Sequence, residues 1–154
     1  MKTIVVGYDG TAPAERALTR ASELAQAFGA RVVIADVAAP RPLEAMPGGF
    51  GLTPYYFSSA ELGVQADKEL WQRHRERIES FFTETGVAHE FAGVVGAPAA
   101  EIVDIAEERG ADLIVVGTRE PGFLDRLFGG SVSQGVARRA GCDVLIVHSP
   151  NASE

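Results

Sequence analysis

Apolar residues along this chain gather in five short segments rich in valine, isoleucine and leucine. Four of these segments are almost unbroken apolar runs, which is typical of parallel strands covered on both faces. The third alternates apolar and polar residues around His89 and Phe91, which favours an edge position in the sheet. The segments predict strands over Thr3–Tyr8, Arg31–Val37, Ala88–Val94, Asp112–Gly117 and Asp143–His148.

Between the strands, apolar residues recur every three or four positions, which is the spacing of an amphipathic helix. The first helix is predicted over Ala12–Phe28, with Thr11 as its N-cap and Pro13 in its first turn. The other helices are predicted over Ala60–Thr85, from Pro98 onward and from about Ser131 onward.

Each predicted helix is separated from the following strand by a glycine and one or two linking residues. A glycine just past a helix accepts the left-handed conformation that closes the last turn. We therefore expect the four helices to end at Gly29, Gly86, Gly110 and Gly141.

Strands and helices alternate strictly over residues 1–150, and a short tail follows at residues 151–154. This order predicts a single α/β domain with helices on both faces of a parallel sheet, and right-handed crossovers favour the doubly wound topology. Ligands of such sheets bind beyond the carboxyl ends of the strands, where the winding direction reverses. If strands one and four are neighbours, the crevice lies between Tyr8-Asp9-Gly10 and Gly117-Thr118-Arg119.

The stretch from Ala111 to Val147 carries the most chemical information. A strand opens into a polar loop, which closes on Gly129-Gly130-Ser131-Val132-Ser133 at the start of a helix. The first N–H groups of a helix lack internal partners and carry partial positive charge, so this start predicts an anion cradle suited to phosphate. The alternative is a glycine turn followed by a serine N-cap, and these residues alone favour neither.

The segment Ala38–Ser59 interrupts the alternation. It is rich in proline and contains Gly48-Gly49-Phe50-Gly51 and Tyr55-Tyr56-Phe57. A connection of this length in a compact domain is either functional or without fixed structure. Since it follows strand two on the expected ligand side, it is either a lid over the crevice or a surface insertion, and we favour the insertion.

Composition and charge narrow the class of protein. The net charge of −7 argues against nonspecific binding to nucleic acid or to an anionic membrane, because both need a basic face. No apolar run approaches the roughly 20 residues of a membrane span, and the chain starts in a strand rather than a signal peptide. Cys142 is the single cysteine, so no intrachain disulfide forms and we expect a packed thiol. These features predict a cytoplasmic protein.

Several segments, taken together and in order, resemble the universal stress protein family over nearly the whole chain. The resemblance implies a five-stranded parallel sheet of order 3-2-1-4-5 with two helices on each face, in agreement with the alternation described above. The segments are Ile4-Val-Val-Gly-Tyr-Asp9-Gly-Thr, Gly96-Ala-Pro-Ala-Ala-Glu-Ile102, Ala111-Asp-Leu-Ile-Val-Val-Gly-Thr-Arg119, Gly130-Ser-Val-Ser133 and Cys142-Asp-Val-Leu-Ile-Val147.

The resemblance further implies an adenine nucleotide, ATP or AMP, in the crevice. In this family Asp9 would lie beside the adenine and ribose, and the backbone of Val37 would face the adenine. Val116 and Gly117 would flank the ribose, and the residues from Gly130 to Ser133 would hold phosphate. The candidate binding residues are Tyr8, Asp9, Val37, Val116, Gly117, Thr118, Arg119, Gly130, Ser131, Val132 and Ser133.

One position departs from the pattern of the nucleotide-binding members. That pattern is Gly, two residues, Gly, nine residues, then Gly-Ser or Gly-Thr; here Gly117 and Gly130-Ser131 keep the spacing, but Glu120 replaces the second glycine. A carboxylate at about 4 Å from one phosphate charge costs roughly 1 kcal/mol in water and about 4 at an effective dielectric of 20. An ion pair with Arg119 or Arg126, or a bridging Mg²⁺, would offset this repulsion.

Three functions are consistent with these residues. The first is a regulatory protein that binds an adenine nucleotide and is not an enzyme. The second, favoured by Glu120, is a dimeric interaction module of the same family that binds no nucleotide. The third is a weak nucleotide hydrolase, for which no general base is identified. No Walker A motif or nucleophile elbow is present, and scattered histidines argue against a metal cluster. His74 lies on the apolar stripe of the second helix and is expected to be either packed or half-exposed.

Strand five, with its apolar run Val144–Val147, is expected at the sheet edge opposite strand three. An exposed apolar edge invites pairing with another strand and is rarely left bare. Since members of the family commonly dimerise through this strand, we predict a homodimer with antiparallel contacts there. The alternative is that residues 150–154 or a helix cover the edge.

Overall fold

The computed structural model describes residues 1–39, 59–118 and 132–149, apart from the side chains of residues 59–66. In this part of the chain, strands and helices alternate in the predicted order, and their bounds differ from the predicted ones by one residue at most. The elements are β1 (Thr3–Tyr8), α1 (Ala12–Phe28), β2 (Arg31–Ala38), α2 (Ser59–Thr85), β3 (His89–Val95), α3 (Pro98–Glu108), β4 (Leu113–Gly117), α4 (Val132–Arg139) and β5 (Asp143–Val147).

All described strands pair in parallel, in the order β3-β2-β1-β4-β5. β1 lies at the centre, and β3 and β5 form the two edges, as the sequence predicts. The chain winds outward from β1 to β3 and then returns to place β4 on the other side of β1. Because each crossover is right-handed, this reversal of the winding direction puts helices on both faces of the sheet.

The core consists of two apolar layers, one on each face of the sheet. Ile4 and Val6 of β1 pack in the layer that also holds Leu18 of α1 and Phe82 of α2. Val5, between them in the sequence, packs in the layer of α3 and α4. Because successive strand residues point to opposite faces, both parities must be apolar, which explains the unbroken valine and isoleucine runs. Burying each such side chain stabilises the fold by about 1.5–3 kcal/mol.

Three of the four predicted helix ends adopt the left-handed conformation. Gly29, Gly86 and Gly110 have φ of 64, 68 and 58°. α4 also ends just before Gly141, as predicted, but Gly141 itself does not adopt the left-handed conformation. The N–H of Ala140 donates to the carbonyl of Val136 at 2.9 Å, so α4 closes with an ordinary helical bond before Gly141.

The start of α1 differs from the prediction in one respect. Thr11 occupies the N-cap position with extended backbone, but its side chain makes no capping bond to the helix. Its hydroxyl donates instead to Asp9. Local sequence correctly predicted the position at which the helix begins, but not the partner of the hydroxyl.

Cys142 lies in the bend before β5. Its thiol is half-buried and packs against the layer of α3 and α4. Burial raises the pKa of Cys142, which keeps the sulfur in its unreactive thiol form at neutral pH. The thiol is packed, as expected from the sequence.

α2 is long enough to span a bilayer, with 27 residues, but its sequence is strongly polar. No helix in the described residues is both long and apolar enough to cross a membrane.

Candidate functional site

A cavity of about 440 Å³ opens at the carboxyl ends of β2, β1 and β4. The winding direction reverses between β1 and β4, so the cavity lies at the switch point that the alternation of elements predicts. The starts of α1, α3 and α4 border it, with Pro13, Pro98 and Val132 among the residues along its wall. The described residues therefore enclose the space where ligands of doubly wound sheets bind.

One wall of the cavity is apolar. Ala35 and Val37 come from β2, Val116 from β4, and Ile102 from α3. Ala35, Val116 and Ile102 are buried, and they belong to the layer of α3 and α4. A wall of this kind accepts a flat apolar group by excluding water from its faces.

The opposite border is the acidic turn after β1. The carboxylate Oδ1 of Asp9 accepts hydrogen bonds from the backbone N–H of Thr11 at 3.0 Å and from its hydroxyl at 2.5 Å. These two bonds fix the rotamer of Asp9, which is exposed beside the cavity. Asp-Gly pairs commonly form turns, and here the same carboxylate both shapes the turn and borders the cavity.

Gly117, at the end of β4, lies against the first turn of α1. A Cβ atom on Gly117 would overlap the carbonyl group of Pro13. No larger residue fits unless α1 moves away from the sheet, because the obstacle is backbone rather than a flexible side chain. The next residue, Thr118, donates its N–H to the carbonyl of Val147 at 3.0 Å, which ties the end of β4 to β5.

The start of α4 also borders the cavity. Val132 is 43% exposed, and Ser133 is buried with 3% exposure; both border the cavity. The N–H groups of a first helical turn lack internal acceptors, and they carry partial positive charge. The turn at Asp9 and the start of α4 thus border one cavity, as the predicted site requires.

Behind the Asp9 turn lies a buried polar pair that the sequence analysis missed. Asp36 of β2 and His74 of α2 bond through Oδ2 and Nδ1, and their side chains are 4% and 11% exposed. Burial raises the pKa of Asp36, and the bond to His74 offsets part of that shift. The aspartate inside the apolar run Val32–Val37 was a signal for this pair, because an isolated buried carboxylate needs a partner.

Tyr8 connects this pair to α1. Its ring meets the imidazole of His74 edge-on, with centroids 5.3 Å apart. The hydroxyl of Tyr8 donates to Glu15 at 2.5 Å, and Arg77 pairs with the same carboxylate oxygen at 2.9 Å. Burial and the bond to Glu15 both raise the pKa of Tyr8, so the phenol stays protonated.

The structure brings most of the sequence-predicted residues to one place. Arg119, Gly130 and Ser131 lie outside the described residues, as do Glu120 and residues 40–58, for which the lid and the surface insertion were the alternatives. Tyr8 borders the cavity, but its ring belongs to the layer of α1 and α2. The predicted residues that border the cavity are Tyr8, Asp9, Val37, Val116, Gly117, Thr118, Val132 and Ser133.

Several residues of the cavity wall were not predicted from the sequence to lie there. Thr11 and Pro13 reach the cavity because α1 begins beside it, and Ala35 and Ile102 reach it across the sheet face. Their apolar or turn-forming character is shared with many residues elsewhere, so no local pattern distinguishes them. Among the described residues, no group of three or more histidine, cysteine, aspartate or glutamate side chains is arranged to hold a metal ion.

Comparison with known proteins identifies the family. The model of the universal stress protein family matches residues 1–148. This chain belongs to that family. A universal stress protein of Thermus aquaticus is 38% identical over 151 residues, which cover 95% of this chain and 98% of that protein. The family resemblance seen in the sequence motifs is therefore confirmed.

Solved structures of the family share the fold. A universal stress protein in complex with cAMP superposes with a TM-score of 0.66 at 31% identity, covering 97% of this chain and 98% of the other. The universal stress protein of Archaeoglobus fulgidus in complex with dAMP has a TM-score of 0.60 at 26% identity, covering 95% and 97% of the two chains. Both ligands of these relatives are adenine nucleotides with a single phosphate.

Proposed function

We propose that this universal stress protein is a regulatory protein that binds an adenine nucleotide, AMP or ATP, in the cavity at the switch point of its sheet. The observation that carries the proposal is the cavity itself, which has an apolar wall on β2 and α3, the Asp9 turn on one side and the start of α4 on the other. Relatives in complex with cAMP and dAMP support the ligand class. We expect the protein to act in the cytoplasm.

The apolar wall suits the adenine ring. Ala35, Val37 and Ile102 offer apolar surface without charge, and the backbone of Val37, near the end of β2, would face the edge of the base. The ring would lose little on leaving water, because its faces are apolar and its edge meets backbone polar groups. Val116 and Gly117 would then lie beside the ribose.

Asp9 is the group that we assign to the ribose. Its carboxylate is oriented by Thr11, so it can accept a hydrogen bond from a sugar hydroxyl with little ordering cost. Hydrogen bonds to a charged acceptor are worth about 1.5–3 kcal/mol. The phosphate would lie at the start of α4, with Gly130, Ser131, Val132 and Ser133 as its binding residues and partial positive charge from the helix.

Isothermal titration calorimetry with AMP tests this proposal. We expect wild-type protein to bind AMP and Asp9→Asn to bind it about tenfold or more weakly, because the amide keeps the shape of the side chain but loses its charge. Asp104→Asn is the matched control, since it removes the same charge from the exposed side of α3 and should bind AMP like wild type. GMP in place of AMP tests selectivity for adenine.

A flat titration of the folded wild-type protein with AMP, ATP and cAMP would contradict the proposal. Equal losses of affinity in Asp9→Asn and Asp104→Asn would contradict the role given to Asp9. Native mass spectrometry of freshly purified protein supplies an independent check, because a tightly bound nucleotide is carried through purification and appears as added mass.

Glu120 should set the preference for phosphate number. Its carboxylate replaces a glycine of the family pattern and would repel the outer phosphates of ATP more than the single phosphate of AMP. We expect Glu120→Gly to raise ATP affinity by about tenfold to several hundredfold, because it removes one like-charge pair, and to change AMP affinity less. Titrations of wild type and Glu120→Gly with Mg²⁺ and with EDTA show whether a bridging cation offsets the repulsion. If the variant binds ATP no more tightly than wild type under both conditions, this role of Glu120 is wrong.

A second candidate function is a dimeric interaction module without a nucleotide. The observation that favours it is the β5 edge, where Val144 to Val147 are only partly buried, whereas the neighbouring Leu113–Val116 are fully buried. β5 has a paired neighbour on one side only among the described strands. A partner strand from a second copy would cover this apolar edge.

Light scattering over a dilution series tests the dimer. We expect wild-type protein to be a dimer and Ile146→Lys to be a monomer, while Val95→Lys, which adds the same charge at the opposite sheet edge, stays dimeric. Circular dichroism checks that each variant is folded, because Ile146 also packs in the layer of α3 and α4. A monomeric wild type at all concentrations contradicts the dimer, and a dimer that binds no nucleotide favours this second function.

A further inference from the structure

The imidazole of His74 lies directly behind the Asp9–Gly10–Thr11 turn. A Cβ atom built on Gly10 would stand 2.5 Å from Nε2 of His74, so the ring fills the space that a side chain at position 10 would take. Gly10 has φ of 75°, a left-handed conformation that other residues rarely adopt. The turn therefore needs glycine both for its backbone conformation and for its contact with the imidazole.

The ring is held from its other nitrogen. Nδ1 of His74 bonds to Oδ2 of Asp36, and the ring of Tyr8 meets the imidazole at an interplanar angle of 88°. A hydrogen bond at one ring nitrogen sets the orientation of the ring, and with it the direction of the second nitrogen. Asp36 thus determines where Nε2 of His74 points, and Tyr8 prevents the ring from tilting.

Burying this polar pair costs free energy, so a need for good packing does not explain why these two residues are polar. A buried carboxylate and imidazole lose hydration that their mutual bond restores only in part, and apolar residues of similar volume pack at least as well. Burial accordingly raises the pKa of Asp36. The pair also joins β2 to α2 across 38 residues of sequence, and its free end meets the one turn that borders the cavity from β1.

We propose that His74 is a positioning residue that braces the Asp9–Gly10–Thr11 turn for ligand binding, with Asp36 fixing its orientation. The inference rests on the proposed nucleotide site, in which Asp9 binds the ribose. Asp9 and Thr11 are bonded to each other across Gly10, so a displacement of Gly10 moves the carboxylate. Without the brace, binding must also order about one more residue, which corresponds to roughly a five- to thirtyfold higher dissociation constant.

Two amide variants separate the two ends of the imidazole. The side-chain nitrogen of His74→Asn can reach the position of Nδ1 and keep the bond to Asp36, but no atom then reaches Gly10. The amide of His74→Gln reaches the position of Nε2 and removes the bond from His74 to Asp36, which leaves Trp71 as a side-chain partner of that carboxylate. We expect His74→Asn to stay nearly as stable as wild type and to bind AMP about five- to thirtyfold more weakly. His74→Gln should lose stability but keep more of the AMP affinity.

The brace can also be measured without any ligand. The backbone amide of Gly10 should give a sharp NMR signal in wild type and an exchange-broadened signal in His74→Asn, because the freed turn samples more conformations. His89→Asn is the control: His89 lies on β3, where it bonds to Glu79 at 3.0 Å and does not contact the turn. That variant should leave both the Gly10 signal and the AMP affinity as in wild type.

The AMP titration and the ligand-free NMR signal test the two proposals separately. If wild type binds no AMP, the proposed nucleotide function is wrong, and the Gly10 signal still decides whether His74 braces the turn. An unchanged Gly10 signal in folded His74→Asn overturns the inference, whatever the affinity. If His74→Asn does not fold, an AMP titration of wild type decides: the His74 ring and Gly10 amide signals should shift together, and a shift of Gly10 with no change at His74 overturns the inference.

Discussion

The two ends of the sheet treat their charged groups in opposite ways. At the amino end, the carboxylate of Asp112 accepts the backbone N–H groups of Lys2 at 2.6 Å and Thr3 at 3.0 Å, and these bonds lower the pKa of Asp112. At the carboxyl end, burial is the largest cause that raises the pKa of Asp36 and of Tyr8. The surroundings therefore favour the ionised form of Asp112 at the amino end and disfavour the ionised forms of Asp36 and Tyr8 at the carboxyl end.

The difference reflects what each end does. At the amino end, charged groups are partly exposed and paired, as where Arg109 donates to Glu90 at 2.7 and 3.0 Å, and they lie outside the apolar core. At the carboxyl end, polar groups are buried around a cavity, and a glycine is packed against backbone. Groups held in unfavourable environments are more common at binding sites than at structural ends. Charged pairs thus stabilise the fold at the amino end, whereas the polar groups buried at the carboxyl end lower its stability and surround the cavity.

Replacement of Gly117 by alanine should have the largest effect on stability. The new Cβ would overlap the carbonyl group of Pro13, so α1 must shift away from β4 at the mouth of the cavity. Overpacking against rigid backbone costs about 1–3 kcal/mol, and we expect a loss of this size in the free energy of unfolding measured with urea. AMP binding should weaken as well, because the cavity wall moves.

Gly141→Ala is the matched control for that variant. Within the described part of the chain, and apart from the two neighbours of Gly141 in sequence, no heavy atom lies within 4 Å of a Cβ built on it, and its φ is outside the left-handed region. The unfolding free energy of Gly141→Ala should therefore stay within about 0.5 kcal/mol of wild type. Similar losses in both variants would mean that alanine is unfavourable for reasons other than the contact with Pro13, and would weaken the contrast between the two ends.

Replacement of Asp112 by asparagine should have a smaller effect that depends on pH. The pKa of Asp112 is lowered in the folded state, so its charge stabilises the fold above the ordinary aspartate pKa of about 3.9 and loses that contribution as pH falls through the lowered value. We expect the variant to unfold at lower urea concentration than wild type at pH 7, and the two curves to converge at acidic pH. A difference that stays constant with pH would exclude the carboxylate charge as the cause.

Replacement of Glu90 by glutamine should have the smallest effect. Glu90 pairs with Arg109 and, at 3.8 Å, with Arg31, but its side chain is 37% exposed. Exposed pairs contribute at most about 1 kcal/mol, and less at high salt. Urea unfolding at low and high salt measures this contribution, with Glu84→Gln on the exposed side of α2 as control. A loss well above that size would show that surface pairing at the amino end stabilises the protein more than we infer.

Much of the fold was predictable from short-range patterns. The apolar runs predicted β1, β2, β4 and β5, the alternation in β3 predicted its edge position, and the resemblance to the family implied the strand order that the structure shows. The left-handed glycines at Gly29, Gly86 and Gly110 followed from the helix-glycine-strand sequence. Where the same rule was wrong, at Gly141, the helix closed with an ordinary bond that local sequence does not reveal.

The candidate site was only partly predictable for the same reason. Asp9 and Gly117 were recognised because Asp9 directly follows the apolar strand β1 and Gly117 is the last residue of β4, which places both at the carboxyl end of the sheet. Thr11 was predicted to cap α1 with its side chain, but its hydroxyl donates to Asp9 instead. His74 was recognised as a packed residue, but its partner Asp36 was not.

The sequence by itself determined the order of elements, the faces that are buried and the end of the sheet at which a ligand would bind. These follow from side-chain periodicity and from the geometry of parallel strands, which depend on neighbours within a few residues. Only the tertiary structure decided that Asp36 meets His74 and that Pro13 lies against Gly117. Such contacts join residues far apart in the chain, and their existence depends on how helices pack on the sheet rather than on any local pattern.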